Sequence, residues 1–357
     1  MRSKIIFSLL CLVSFLSTAL EITQAPAEDS EVSLLKADWR QTVTTTASTK
    51  RDKTGYGPYE LQCYPEPVSF AWKGGTAPFS LELIPANPFQ PHRISTSNTA
   101  FAVYNLFVGT NYIWTLTDAK GEKRSGHFRT AWMPRLIAFP DRDAMPINVR
   151  DIGGYATVSG VRVRQGMVYR GAEMSAWKNI GLAEMTPANG DVLVKELGIR
   201  TDLDLRYPQQ IAKFTSSEIS PTVQWRHYAV NAYKPFTPEM NDLFRDTMRT
   251  FAQRENYPIY VHCSGGADRT GEICFLLSSL LGVSDEDLFL DYELTSLARL
   301  PRPRKMSYFQ AWLKRVAAFS PDEGNGLSYQ AKTENYLLAI GLTPQEIAAM
   351  RELLLEK

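Results

Sequence analysis

Pro258-Ile259-Tyr260-Val261-His262-Cys263-Ser264-Gly265-Gly266-Ala267-Asp268-Arg269-Thr270-Gly271 sets an apolar run, a cysteine, two glycines and an arginine within one short span. Pro258 to Val261 reads as a buried strand. Ile273 to Leu277, followed by Leu280-Leu281, reads as a mostly buried helix. A strand, a tight turn and a helix N-terminus make an anion site, because unpaired N–H groups and the helix dipole converge there. Gly265 and Gly266 let the backbone curl so that successive N–H groups face one point. Arg269 can fork onto two phosphate oxygens. Cys263 stands where an oxyanion would bind, and such a field lowers a cysteine pKa from about 8.5 to roughly 3.5–7.5. The chemistry implied is phosphoryl transfer to sulfur. A buried cysteine followed by a surface arginine is the plainer reading, but it does not account for the spacing, the glycines and the strand–helix context together.

The stretch resembles the His-Cys-x5-Arg-Ser/Thr signature of the cysteine-dependent phosphatase superfamily. Its Asp268-Arg269-Thr270-Gly271 ending resembles the bacterial tyrosine-phosphatase-like family, and an Asp at that position also occurs in myotubularin-type phosphoinositide phosphatases. Further segments carry the narrower resemblance. Asn148-Val149-Arg150-Asp151-Ile152-Gly153-Gly154 is similar to the family's opening motif, and Val168-Tyr169-Arg170-Gly171 to the segment after it. Leu197-Gly198-Ile199-Arg200, Leu203-Asp204-Leu205-Arg206 and Asp291-Tyr292-Glu293-Leu294-Thr295-Ser296 follow in order, and the residues from Tyr336 to Leu355 resemble its terminal helices. The likeness spans residues 141–357. Two departures stand out: the family's loop lysine is Ala267 here, and a glutamate after the Asp-Leu-Arg strand is replaced by Gln209-Gln210.

The expected site follows from these residues. Cys263 attacks phosphorus and gives a phosphocysteine that water hydrolyses. Ser264, Gly265, Gly266, Ala267 and Thr270 line the phosphate, with Arg269 and the loop N–H groups holding its charge. Thr270 can also bond the thiolate, and His262 orients the loop from the strand end. A leaving group needs a proton, usually from a carboxylic acid. The resemblance puts Asp268 first, with Asp204 and Asp151 as alternatives. Arg150 and Arg206 either widen a cationic rim or pair with those carboxylates.

The leading function is therefore a phosphomonoester hydrolase of the protein tyrosine or dual-specificity type. The alternatives are a phosphoinositide or inositol phosphate phosphatase, an inactive phosphate-binding module, and a surface- or carbohydrate-binding protein led by the first domain. Expected partners are phosphorylated proteins, peptides or small phosphomonoesters, with phosphoinositides as the second class. Four histidines, His92, His127, His227 and His262, show no metal-ligand spacing, so neither a metal nor a cofactor is expected. A net charge of +1 gives no reason to expect nucleic acid.

Arg2 and Lys4 precede an apolar run from Ile5 to Leu20, shorter than the ~20 residues a membrane span needs. It reads as a signal peptide cleaved near residue 19, or as late as 27, which implies a periplasmic or secreted bacterial protein without a stable span. Cys11 leaves with that segment. Cys63, Cys263 and Cys274 remain, an odd count unlike a disulfide framework.

Residues 30–132 read as an all-β domain. Val68–Trp72, Phe79–Ile84, Thr99–Val103 and Tyr112–Thr117 are strand-like, and Tyr112, Trp114 and Leu116 share one face. With Trp72 and Phe128-Arg129-Thr130 the segment resembles a fibronectin type III or immunoglobulin-like sandwich. Thr44 to Tyr56 reads as a long loop and 133–140 as a linker. The 141–357 domain is expected to be α/β, a central sheet flanked by helices with the phosphate loop between strand and helix. Core strands are placed at Arg200–Leu205 and Pro258–Val261. Helices are placed at Ala183–Leu197, Pro238–Gln253, Ala267–Leu281, Lys305–Ala318 and Thr343–Leu355.

Overall fold

The computed structural model describes residues 19–36, 39–40, 64–86, 89–233, 236–295 and 306–357. The leader run as far as Thr18, Cys11 within it, Cys63, the Thr44–Tyr56 stretch and Ser296 lie outside the described residues. The chain forms two compact units that interleave in sequence. Among the described residues, one takes those within 19–32, 68–103 and 110–129; the other takes those within 33–67, 104–109 and 130–357.

The smaller unit is built from short antiparallel strands with alternating burial. The strands β1 (Glu21–Gln24), β3 (Val68–Lys73) and β6 (Ala100–Val103) form one sheet in the order β1-β3-β6. A second sheet runs β2-β8-β7-β4-β5, from Ser30–Val32, Lys123–Thr130, Asn111–Thr117, Phe79–Pro85 and His92–Thr96. Val68, Phe70 and Trp72 alternate inward on β3, and Tyr112, Trp114 and Leu116 on β7, as the period of two requires. Phe70 meets Trp114 edge-on with ring centroids 5.5 Å apart, which joins the two sheets. Burying each such ring contributes about 1.5–3 kcal/mol.

The larger unit centres on a five-stranded mixed sheet flanked by helices. Its strands are β9 (Arg150–Asp151), β10 (Val168–Gly171), β11 (Thr201–Asp204), β12 (Gln224–His227) and β13 (Ile259–His262), in the order β12-β11-β13-β10-β9. The pairs β12–β11, β11–β13 and β13–β10 are parallel, while β9 runs antiparallel to β10. A parallel strand covered on both faces reads as a continuous apolar run, which is why Ile259-Tyr260-Val261 was legible. Its two faces feed different cores. Val168, Leu203, Ile259 and Val261 join one, with the helices Pro238–Arg249, Arg269–Leu280, Met306–Ala317, Tyr329–Ala339 and Pro344–Leu354. Tyr169 and Tyr260 join the other, with Ile137, Phe139, Leu193 and Ile199.

Three expectations change. Residues 133–140, expected as a linker, belong to the larger unit: Ile137 and Phe139 are core residues and buried Arg135 holds Asp151 at 2.9 Å. Nor does a single boundary near residue 132 divide the units. Asn105 pairs its side-chain amide with both Ala138 N–H (2.7 Å) and Ala138 C=O (3.1 Å), a long-range match that local composition does not encode. The expected helix Ala183–Leu197 is shorter: a turn at Pro187–Asp191 runs into a wider turn at Val192–Glu196. Among the described residues, no helix is long and apolar enough to cross a membrane.

Candidate active site

The loop Cys263–Asp268 leaves the carboxyl end of the central strand β13 and enters the helix Arg269–Leu280. Gly266 makes its curl possible. It has φ 63°, and a Cβ there would lie 2.2 Å from Gly171 O at the end of β10. Three successive loop carbonyls are taken by outside donors. Glu173 N–H reaches Ser264 O at 3.1 Å, Asn148 Nδ2 reaches Gly265 O and Gly266 O at 3.1 Å each, and Arg170 Nη2 reaches Gly266 O at 3.0 Å. A trans peptide points its N–H opposite to its C=O. The N–H groups of Gly265, Gly266 and Ala267 are therefore turned away from those donors, toward the concave side, the arrangement an anion needs.

Cys263 is buried at the start of this loop. Burial pushes its thiol up, but the Arg269 guanidinium and hydrogen bonding from the Thr270 main chain and hydroxyl outweigh it. The net direction is down, toward thiolate. Arg269 is held on several sides. Its Nη1 donates to Leu205 O (3.1 Å) and Gln210 Oε1 (3.0 Å), its Nη2 donates to Ser264 Oγ (3.3 Å), and its guanidinium lies over the Tyr207 ring at 4.5 Å. Gln210 closes the ring by donating from Nε2 to Ser264 Oγ at 2.8 Å.

The profile of the tyrosine phosphatase family matches residues 144–356, more than half of the chain. The chain belongs to that family. A candidate tyrosine-protein phosphatase of Cupriavidus necator is 25% identical over 162 residues, which cover 41% of this chain and 59% of that protein. The chain thus spans under two thirds of that curated relative's length. Among solved structures, the core catalytic domain of the PP-IP phosphatase SIW14 from S. cerevisiae, in complex with citrate, is similar at TM-score 0.30 and 18% identity. That likeness covers 42% of this chain and 82% of the other.

Behind the loop lies a buried charge network. Asp291 accepts from Arg150 Nε at 2.8 Å and from Arg170 Nη1 at 2.6 Å, and Arg150 Nη1 donates to Asn148 Oδ1 at 2.7 Å. Arg150 is therefore a brace for the loop's outer carbonyls, acting through Asn148, and not part of an open rim. Arg206 is likewise buried. It pairs with Asp204 (2.7 Å), Glu173 (2.8 Å) and Glu218 (2.6 Å). Of the two readings open for these arginines, pairing with carboxylates is the one found, although Arg150 pairs with Asp291 rather than Asp151.

The carboxylates divide in the same way. Asp204 accepts from Arg206 main chain and side chain, and Trp225 Nε1 is 3.3 Å away. Against the raising effect of burial, charged His262 and Arg206 bring its pKa to about 2. Asp151 is fully buried and accepts from Arg135, Gly153 N–H and Gly166 N–H. Neither carboxylate has a described bond to the loop. Asp268 stands at the loop's end and accepts from Tyr233 Oη at 2.7 Å. His262, with no exposed surface, forms an ion pair at 2.7 Å with Asp202 Oδ1. Burial would lower its pKa, but Asp202 and then Asp204 raise it to about 9. Its Nδ1 is 3.4 Å from Cys263 O, so it supports the loop from beneath.

Ala267 places its methyl among Met145, Ile147, Ala172, Ile180 and Leu182. A side chain at this position starts in an apolar cluster, so a charge here reaches phosphate only by extending past it. Sequence reasoning assigned no role to Asn148, Arg170, Asp202, Gln210, Tyr233 or Asp291. Asn148, Arg170 and Asp291 lay inside motifs already quoted, and charged or amide residues within such runs were the available signal. Gln210 marks only a departure from the family's pattern, and Tyr233 carries no sequence signal.

Proposed function

We propose that this protein hydrolyses phosphate monoesters in two steps through a phosphocysteine. The observation that carries the reading is the loop: Cys263 is lowered toward thiolate at its start, the carbonyls of Ser264, Gly265 and Gly266 are bonded outward, and Arg269 follows at its end. In the first step the Cys263 thiolate forms an S–P bond as the P–O bond to the leaving group breaks, and Asp268 gives its proton to the departing oxygen. In the second, Asp268 takes a proton from water as the water attacks phosphorus, and the thiolate leaves from inorganic phosphate. The loop N–H groups and Arg269 hold the charge on the equatorial oxygens throughout. Asp268 is favoured because it adjoins Arg269 at the end of the loop, where Tyr233 Oη bonds it, while no described bond ties Asp204 or Asp151 to the loop.

The substrate class we favour is the singly phosphorylated aryl ester, phosphotyrosine peptides included. Ala267 brings no charge, and Arg150 and Arg206 are spent on buried carboxylates, so these three positions add nothing toward a second phosphate. We read the smaller unit as a fibronectin type III or immunoglobulin-like sandwich on the strength of its two sheets joined at Phe70 and Trp114. We also read the N-terminal apolar run as an export signal, which cell fractionation tests. Purified protein should release phosphate from p-nitrophenyl phosphate in the presence of chelators, stop with vanadate, and lose turnover as Cys263→Ser. Turnover that survives in Cys263→Ser overturns the mechanism. A higher kcat/KM on polyphosphorylated inositols than on phosphotyrosine peptides overturns the substrate reading alone.

A further inference from the structure

A turn between β12 and the helix Pro238–Arg249 sets a phenol on the carboxylate beside the phosphate loop. Tyr233 lies in that turn with φ 57°, a left-handed conformation that a bulky residue keeps only where its surroundings hold it. Both sides of its main chain are held. Tyr233 N–H donates to Glu272 Oε1 at 2.9 Å, and Tyr233 O accepts from Arg315 Nη1 at 3.1 Å. Glu272 has no exposed surface, and burial keeps its carboxyl well above the usual range despite the bond from Tyr233.

Asp268 and Glu272 are four residues apart at the start of one helix, which puts them on the same face; Glu272 N–H donates to Asp268 O at 2.9 Å. Tyr233 thus spans both, with its main chain on Glu272 and its Oη on Asp268 Oδ1 at 2.7 Å. Tyr292 Oη also bonds Tyr233 Oη, and the Tyr292 ring is fixed by stacking on Phe309 at 3.7 Å. A phenol has one proton to give. With Tyr233 donating to Asp268, Tyr292 donates to Tyr233, and the chain of bonds has one polarity.

We propose that Tyr233 is the positioning residue of the proton donor: its phenol bonds Asp268 Oδ1 and so sets the orientation in which the carboxyl meets the leaving group. This rests on Asp268 being the general acid. Tyr233 acts through Asp268 and touches no substrate. Because the main chain of Tyr233, not its phenol, meets Glu272 and Arg315, removing the hydroxyl leaves the turn's anchors in place.

The test compares Tyr233→Phe, Asp268→Asn and the double variant on phenyl phosphates of graded leaving-group pKa, with vanadate affinity as the check on the pocket. Asp268→Asn should cost roughly a hundredfold on unsubstituted phenyl phosphate and much less on activated aryl esters. Tyr233→Phe should show the same selectivity at smaller size, about tenfold against about twofold. Its alkaline limb should move to higher pH, because a donor to the ionised carboxylate has been removed. The double variant should be no slower than Asp268→Asn alone. If Asp268→Asn is selective while Tyr233→Phe loses equally on all substrates, or the two losses add, Tyr233 is only structural and the general-acid reading stands. An unselective Asp268→Asn overturns both.

Discussion

Gln210 and Arg269 are joined by a 3.0 Å hydrogen bond, and the same amide reaches Ser264 Oγ at 2.8 Å, so a neutral group holds the arginine proposed to bind phosphate. Gln210→Glu keeps the reach and adds a negative charge beside the guanidinium. A unit charge about 6 Å from a phosphate charge at an effective dielectric of ~20 interacts by roughly 3 kcal/mol before screening. Gln210 is exposed, so screening reduces this. Vanadate inhibition should weaken about tenfold at low salt and recover toward the parent value at high salt. An unchanged inhibition constant at low salt would show that the amide's charge state does not matter.

The two described cysteines should react very differently. Cys263 is lowered by Arg269 and Thr270, whereas burial pushes Cys274 up to about 11. Iodoacetate near neutral pH should therefore label Cys263 first, and inorganic phosphate or vanadate should protect it. Peptide mapping after brief alkylation checks this. Preferential labelling of Cys274 would contradict the field assigned to the loop.

Asn148 holds two loop carbonyls outward and receives a bond from Arg150. Asn148→Ala leaves those carbonyls without their amide donor and lets the N–H groups turn. Loss of one oxyanion-stabilising donor costs roughly 10²–10³ in rate, and this indirect loss should reach about the lower figure. Steady-state kinetics with vanadate binding measure it, and both should suffer together.

Stability should depend on pH through the pair beneath the loop. His262 has its pKa raised from 6.5 to about 9, so its contribution is full below about pH 6.5 and is lost as pH rises through 9. That difference corresponds to roughly 3 kcal/mol. Asp204, lowered from 3.8 to about 2, contributes above pH 3.8 and loses that contribution as pH falls through 2. Asp202→Asn removes the His262 counter-ion and should cost about 3–5 kcal/mol. It should also flatten the fall in Tm between about pH 6.5 and 9. A parent Tm that does not fall across that interval would mean that His262 is neutral in the fold.

The strand, loop and helix from Pro258 to Leu281 were legible because neighbours in sequence set a loop's curvature, and because burial on both faces leaves a continuous apolar run. Cys263, Gly266 and Arg269 came with that local geometry. Strands β9, β10 and β12 are two to four residues long, too short to show a period of two. The helices Asp285–Leu294 and Tyr329–Ala339 spread their apolar residues around the axis, so neither showed a stripe. Only the tertiary structure decided which charges are spent. Arg150 meets Asp291 across 141 residues, and Gln210 meets Ser264 across 54. A buried charge requires a partner, but which partner depends on packing between distant segments, and nothing local to Arg150, Asp204 or Tyr233 specifies it.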